Sequence, residues 1–213
     1  EGGYSGTSLG YVSDDIDEYT QFLKDGKDEN ESDFAAVKQI LDFSKRQFDG
    51  FKTKDGAADI FLNQYQNGNI VHLPSAYNTL MGGHAVGLVL YKGYLVYTNR
   101  GHRAARGGKT NVFKLKDPAL ITADLIKNLT SETLTLNEFA FEQTLETLVD
   151  LKNPLISFPT KAQKRGNCSY ANQKSSIEPL LCLIQAQKEG GADFTDETLK
   201  QVAKKSIENR EKG

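Results

Sequence analysis

The chain has 213 residues, with 26 basic against 28 acidic side chains, a formal net charge of −2 and 38% hydrophobic residues. That length fits one domain, or one domain with a small satellite. The balanced charge argues against a nucleic-acid footprint or a basic membrane patch, and no run approaches the roughly 18 apolar residues of a transmembrane helix. No secretory signal is visible at the start, and the opening EGGYSG without Met is read as an excised or processed piece of a larger parent.

Residues 1–10 are Gly-rich and are expected to be irregular, with helix over 13–66. In DFAAVKQILDFSKRQF, the residues Phe34, Val37, Leu41 and Phe48 recur at helical spacing, and Ser32 or Asp33 is the expected cap. The preceding KDGKDENESD reads as a solvated loop. DGAADIFLNQYQNG predicts a further helix ending at Asn67-Gly68. The texture then changes. NIVHLP, HAVGLVLY and YLVYTNR are short, rich in β-branched and aromatic residues, and separated by glycines, which predicts strands. Lys92-Gly93 between Tyr91 and Tyr94 predicts a tight hairpin. TNVFKLK, after the loop GHRAARGG, is a fourth strand, so the middle of the chain reads as an antiparallel meander.

Helices are expected again over 118–129 and 137–151, where Phe141, Leu145 and Leu148 share a face, and SFP at 157–159 reads as a loop or short extended piece. A single helix from Cys168 to about Gln187 is expected to bury Ile177, Leu181 and Ile184, with a kink or break at Pro179. A last helix, 196–210, has Leu199, Val202 and Ile207 inward and Thr195 as cap. The fold class is α+β: an N-terminal helical subdomain, 1–68, and a sheet-and-helix core, 69–213.

Cys168 stands where a polar turn becomes a helix. A helix start presents unpaired N–H groups and a partial positive charge, which lower a thiol pKa and can hold a developing oxyanion. Gly166 and Asn167 allow close backbone approach. Cys182, inside the apolar run LLCLI, reads as a packed residue. On one helix the two thiols would stand about 20 Å apart at roughly 1.5 Å per residue, too far for a disulfide, and free thiols suit a reducing compartment.

A nucleophilic cysteine needs a base and an orienting group. Of His72, His84 and His102, His84 is the candidate base: glycines precede it and a strand anchors it. His72, within IVHLP, reads as a packed strand residue, and His102 as a solvated loop residue. A hairpin about Lys92-Gly93 puts position 84 opposite roughly position 100, which brings Asn99 close to His84. Gln163, five residues before Cys168, is a candidate oxyanion donor beside the Cys168 N–H. No spacing of His, Cys, Asp or Glu suggests a metal, and no Gly-rich phosphate loop follows a strand, so neither metal nor cofactor is expected.

The order His84, Asn99, Gln163, Cys168 resembles that of the papain-like cysteine peptidases of the ubiquitin-like-protein protease and adenoviral protease group, and of acetyltransferase effectors that share the layout. GGHAVGLVLYKGYLVYTNRG and QKRGNCSYANQKSSI resemble more closely the cysteine-protease-like domains of secreted effectors from Legionella-type bacteria, which are often joined to ankyrin repeats. The resemblance covers mainly residues 82–101 and 163–178. It implies a papain-like fold, with His84 as base, Asn99 as its orienter, Gln163 as oxyanion donor and Cys168 as nucleophile. The sequence departs from the pattern at Ala85, where Trp is common, at Asn167, where Asp is common, and in a Gln163–Cys168 spacing one residue shorter.

The leading expectation is a thiol-dependent hydrolase that cleaves a peptide or isopeptide bond, a bacterial effector acting on a host protein in the host cytosol. The alternatives are a catalytically silent protein-binding module and an acyltransferase or deamidase using the same Cys-His pair. The expected partner is a protein, not nucleic acid or a membrane, with ankyrin repeats possible elsewhere in the parent.

Overall fold

The computed structural model describes residues 5–26, 30–49, 52–80, 82–101, 109–130, 136–160 and 168–212. Five strands follow one another in space as they do in sequence: β3 (Val71–Thr79), β4 (Gly82–Tyr91), β5 (Tyr94–Asn99), β6 (Lys109–Lys114) and β7 (Ile156–Pro159), all antiparallel. A separate two-stranded ribbon joins β1 (Phe48–Asp49) to β2 (Lys52–Thr53). The architecture is α+β, with helices before and after the sheet.

The expected meander is present, and SFP joins it as part of the fifth strand rather than a loop. Its short span alone could not show this; its partner β6 lies more than 40 residues back in the chain. The Tyr91↔Tyr94 pair closes the tight hairpin, with Lys92 at a positive φ of 44° and its carbonyl accepting from the Tyr65 hydroxyl at 2.7 Å. β3 runs on through Pro74, which an edge strand tolerates because one side of it carries no ladder bond.

Both faces of the sheet are covered, which explains why HAVGLVLY is almost continuously apolar although the sheet is antiparallel. Val89, Tyr91, Val96 and Val112 pack with α1 (Ser5–Gly26), α2 (Glu31–Arg46), α7 (Ile177–Gly190) and α8 (Asp196–Lys212), through Val12, Ile16, Val37, Leu41, Leu183 and Leu199. On the other face Leu73, Val86, Leu88, Leu95 and Phe113 meet α3 (Ala57–Gln66), α4 (Ala123–Thr130) and α5 (Glu138–Leu148), through Phe61, Ile126, Leu129, Phe141 and Leu145.

Several boundaries differ from expectation. α1 begins at Ser5, inside the stretch read as irregular, because packing of Val12 and Ile16 outweighs the helix cost of nearby glycines. α2 starts after Asn30, not after Ser32 or Asp33; Asp33 is buried and pairs with Lys188 of α7. Phe48 belongs to β1 rather than to the helix. The 118–129 helix divides into a 3₁₀ turn, Pro118–Leu120, and α4.

The long helix expected from Cys168 is two helices, α6 (Cys168–Ser175) and α7, which part at Ser176. Pro179 then falls in the first turn of α7, where its missing N–H has no intrahelical partner to lose. The break also shifts the buried face: Leu180, Leu183 and Ile184 are buried, while Ile177 and Leu181 are half-buried. The two cysteines therefore lie on different helices. Thr195 caps α8 as expected, its Oγ1 accepting from the Thr198 N–H at 3.2 Å.

His72 is fully buried on β3. Gln173 of α6 lies beside it, yet neither imidazole nitrogen and neither atom of the Gln173 carboxamide reaches a hydrogen-bonding partner in acceptable geometry. Burial pushes the His72 pKa down to about 4. The folded protein thus holds His72 neutral, whereas the unfolded chain takes up a proton below its ordinary value of about 6.5. Stability from this group is complete above about pH 6.5 and is lost as pH falls toward 4, by roughly 3 kcal/mol at about 1.36 kcal/mol per unit. Thermal unfolding followed from pH 7 to 4 should therefore show a steeper loss of Tm in the wild type than in His72→Leu. Equal slopes would refute the assignment.

Candidate active site at the end of the sheet

Three strands converge on His84. The β3–β4 register sets Tyr77 directly opposite it. The β4–β5 ladder runs from Tyr91↔Tyr94 to Gly87↔Thr98, and continuing it puts His84 opposite Gly101, one residue beyond the expected position 100. Side chains alternate along a strand, so His84, Asn99 and Gly101 share a face.

Gly101 has no side chain to occupy that face. A Cβ there would lie 2.1 Å from His84 Nε2 and 2.2 Å from Cε1. The imidazole therefore rests over bare backbone and reaches Asn99 Oδ1 at 2.9 Å from Nε2. The Gly101 N–H, an obligate donor, also points at Asn99 Oδ1 at 2.9 Å, which identifies that atom as the oxygen. His84 Nε2 must then carry the hydrogen. In the neutral ring the lone pair sits on Nδ1, the arrangement a general base needs.

The other end of Asn99 is held as firmly. Its Nδ2 donates to the hydroxyls of Tyr77, at 3.1 Å, and Tyr97, at 3.0 Å. Both tyrosines are buried, and Phe141 of α5 packs against them with ring centroids 5.5 and 6.2 Å away. Burial, reinforced by the neighbouring Tyr77, raises the Tyr97 pKa well above its ordinary value, so its hydroxyl stays protonated. The Tyr77 ring also lies 5.1 Å from that of His84, which is only 9% exposed.

α6 docks on the same end of the sheet. Asn172 is fully buried, donates from Nδ2 to the Ala85 carbonyl at 2.7 Å and accepts the Arg100 N–H on Oδ1 at 2.8 Å. Arg100 in turn donates from Nη1 to the Ser175 Oγ at 3.2 Å and to the Ala171 carbonyl at 3.4 Å, both on α6. Cys168 is the first residue of this helix, one turn before Asn172. The Cys168 side chain lies outside the described residues, as do Gln163 and His102.

Of the four candidates, His84 and Asn99 are thus in direct contact, and Cys168 opens the helix anchored beside them. The sequence reading missed Tyr77, Tyr97, Gly101 and Asn172. The i, i+2 spacing of Tyr97, Asn99 and Gly101 carried a signal for two of them, and the one-turn spacing of Cys168 and Asn172 for another. Cys182 is free and buried, and burial pushes its thiol up to about 12. Two open grooves of about 410 and 500 Å³ flank β7, and neither is lined by His84 or Asn99. Among the described residues no group of His, Cys, Asp and Glu could hold a metal ion, and no helix is long and apolar enough to cross a membrane.

Gly101→Ala should force the imidazole away from Asn99. Nitrogen NMR of the His84 ring is expected to lose the single Nε2–H tautomer in the variant while the chain remains folded; a retained tautomer would show that the close contact does not set the ring.

The fold matches that of the Legionella effector AnkH with a TM-score of 0.65 and 17% identity, over 98% of this chain and 43% of that one. At that identity the likeness is one of fold, and this chain spans less than half the length of AnkH. No curated protein matches the chain by sequence. The family described as Dot/Icm T4SS effector AnkD/LegA15 matches residues 11–211, nearly the whole chain. The chain belongs to this family of Dot/Icm type IV secretion effectors.

Proposed function

We propose that the chain is the thiol-hydrolase part of an effector that cleaves a peptide or isopeptide bond of a host protein in the host cytosol. Cys168 is the nucleophile, His84 the base, Asn99 its orienter and Gln163 an oxyanion donor. The observation that supports this most is the tautomer of His84. Two donors converge on Asn99 Oδ1, so the basic lone pair of the neutral ring falls on Nδ1.

In this reading Nδ1 takes the proton from the Cys168 thiol, and the thiolate adds to the amide carbonyl. The oxyanion is met by the Cys168 N–H and the Gln163 amide. The tetrahedral adduct expels the amine, which takes the proton back from His84, and leaves a thioester. Water, deprotonated by His84, then attacks the thioester and frees the acid and the thiol. The same steps with an amine or hydroxyl in place of water give acyl transfer. The division into an N-terminal helical part, 1–68, and a core, 69–213, is proposed on the same footing.

A second reading, a catalytically silent module that binds a host protein, draws on two exposed apolar side chains. Leu80 in the β3–β4 turn and Phe139 at the start of α5 are 108% and 70% exposed. A parallel bridge between Asn78 and Asn137 sets the two segments side by side at the site's end of the sheet. One experiment separates the readings: the pH dependence of iodoacetamide labelling at Cys168 in the wild type and in His84→Ala. The hydrolase reading expects an apparent pKa well below about 8.5 that rises when His84 is removed. An ordinary pKa, unchanged in the variant, would favour the binding module.

A further inference from the structure

We propose that Asn172 is a positioning residue, a side-chain rung inserted between β4 and β5 that sets α6, and with it Cys168, relative to His84. The inference rests on the Cys168–His84 reading above. It goes beyond it by assigning the separation of the pair to a residue that touches neither reacting atom.

The β4–β5 ladder is regular from Tyr91↔Tyr94 to Gly87↔Thr98 and then stops. Continued by register, Ala85 would face Arg100 and His84 would face Gly101. Ala85 and Arg100 are the two residues whose backbone groups Asn172 engages, the carbonyl of one at 2.7 Å and the N–H of the other at 2.8 Å. The Asn172 carboxamide thus replaces a backbone rung with a longer one. A carboxamide has the donor and acceptor of a peptide group, so both strands keep their hydrogen bonds while standing further apart. The residues spread in this way directly follow His84 and Asn99 in the chain.

The helix is seated as well as tethered. Gly87 faces α6, and a Cβ there would lie 2.6 Å from Ser176 Oγ and 3.3 Å from the Asn172 carbonyl oxygen. Ser176 Oγ itself donates to that carbonyl at 3.1 Å. The backbone of α6 therefore lies directly on the sheet at a glycine, and the Asn172 rung fixes its position along the strands. Cys168 and Asn172, four residues apart, lie on one side of α6, so displacement of the rung displaces the start of the helix.

The test is the pH profile of Cys168 alkylation in the intact chain, with circular dichroism to monitor folding, for wild type, His84→Ala and Asn172→Ala. The His84→Ala arm judges the Cys-His reading by itself: a wild-type pKa that is ordinary and indifferent to His84 would remove that reading and, with it, this role for Asn172. Given a lowered wild-type pKa, Asn172→Ala is expected to raise it by about one unit or more, about a tenfold fall in the acid dissociation constant of the thiol, with helix content retained. A wild-type pKa in folded Asn172→Ala would overturn the proposal, since a merely structural residue would lower Tm without moving the thiol.

Should Asn172→Ala fail to fold, Gly87→Ala decides, because it lifts α6 without removing the carboxamide. Its pKa should rise, and Ser176→Ala added to it should restore part of the shift by removing the closest atom. An unmoved pKa in folded Gly87→Ala would overturn the proposal.

Discussion

The site depends on one carboxamide whose hydrogen-bonding capacity is fully used. Asn99 accepts from Gly101 and His84 on its oxygen and donates to Tyr77 and Tyr97 from its nitrogen. With all four positions committed, the amide cannot flip without setting a backbone N–H against its own NH₂ group. The imidazole inherits its tautomer from that constraint, while burial keeps the Tyr97 hydroxyl protonated although Asn99 donates to it. Rigidity here comes from polar satisfaction in a closed setting, where an unmet donor or acceptor costs about 1–3 kcal/mol.

That network stands at the end of a sheet whose two faces are both covered. The double packing makes β4 and β5 a firm platform: Val86, Leu88 and Leu95 are held from one side, and Val89 and Val96 from the other. Where the ladder ends, the strands leave the sheet's own hydrogen bonding and are taken over by side chains, Asn99 on one face and Asn172 between the strands. Glycines mark the places of closest approach. Gly101 yields to a ring and Gly87 to a helix backbone.

Polar groups on the other side of α6 are treated differently. His72 and Gln173 are buried next to each other without satisfied partners, while Asn172, the neighbouring residue on the helix, makes two short hydrogen bonds. The helix thus carries a strong polar anchor toward the β4–β5 end and a desolvated, proton-sensitive contact toward β3. Acid stress falls on the second of these, and the geometry of the site rests on the first.

Local pattern determined much of this protein. Alternating and continuous apolar runs marked β3 to β6, Lys92-Gly93 marked the hairpin, and the register about that turn brought Asn99 to His84. Those features depend on residues close in the chain, so spacing and turn chemistry carry them. Tertiary structure decided what depends on distant partners. SFP became part of a strand because β6 offered an edge, α1 reached back to Ser5 because α2 and the sheet cover it, and the helix after Cys168 broke at Ser176, whose hydroxyl faces Gly87. Tyr77, Gly101 and Asn172 gained their places in the same way, because a hydrogen bond or a missing Cβ acquires meaning only when packing brings another part of the chain against it.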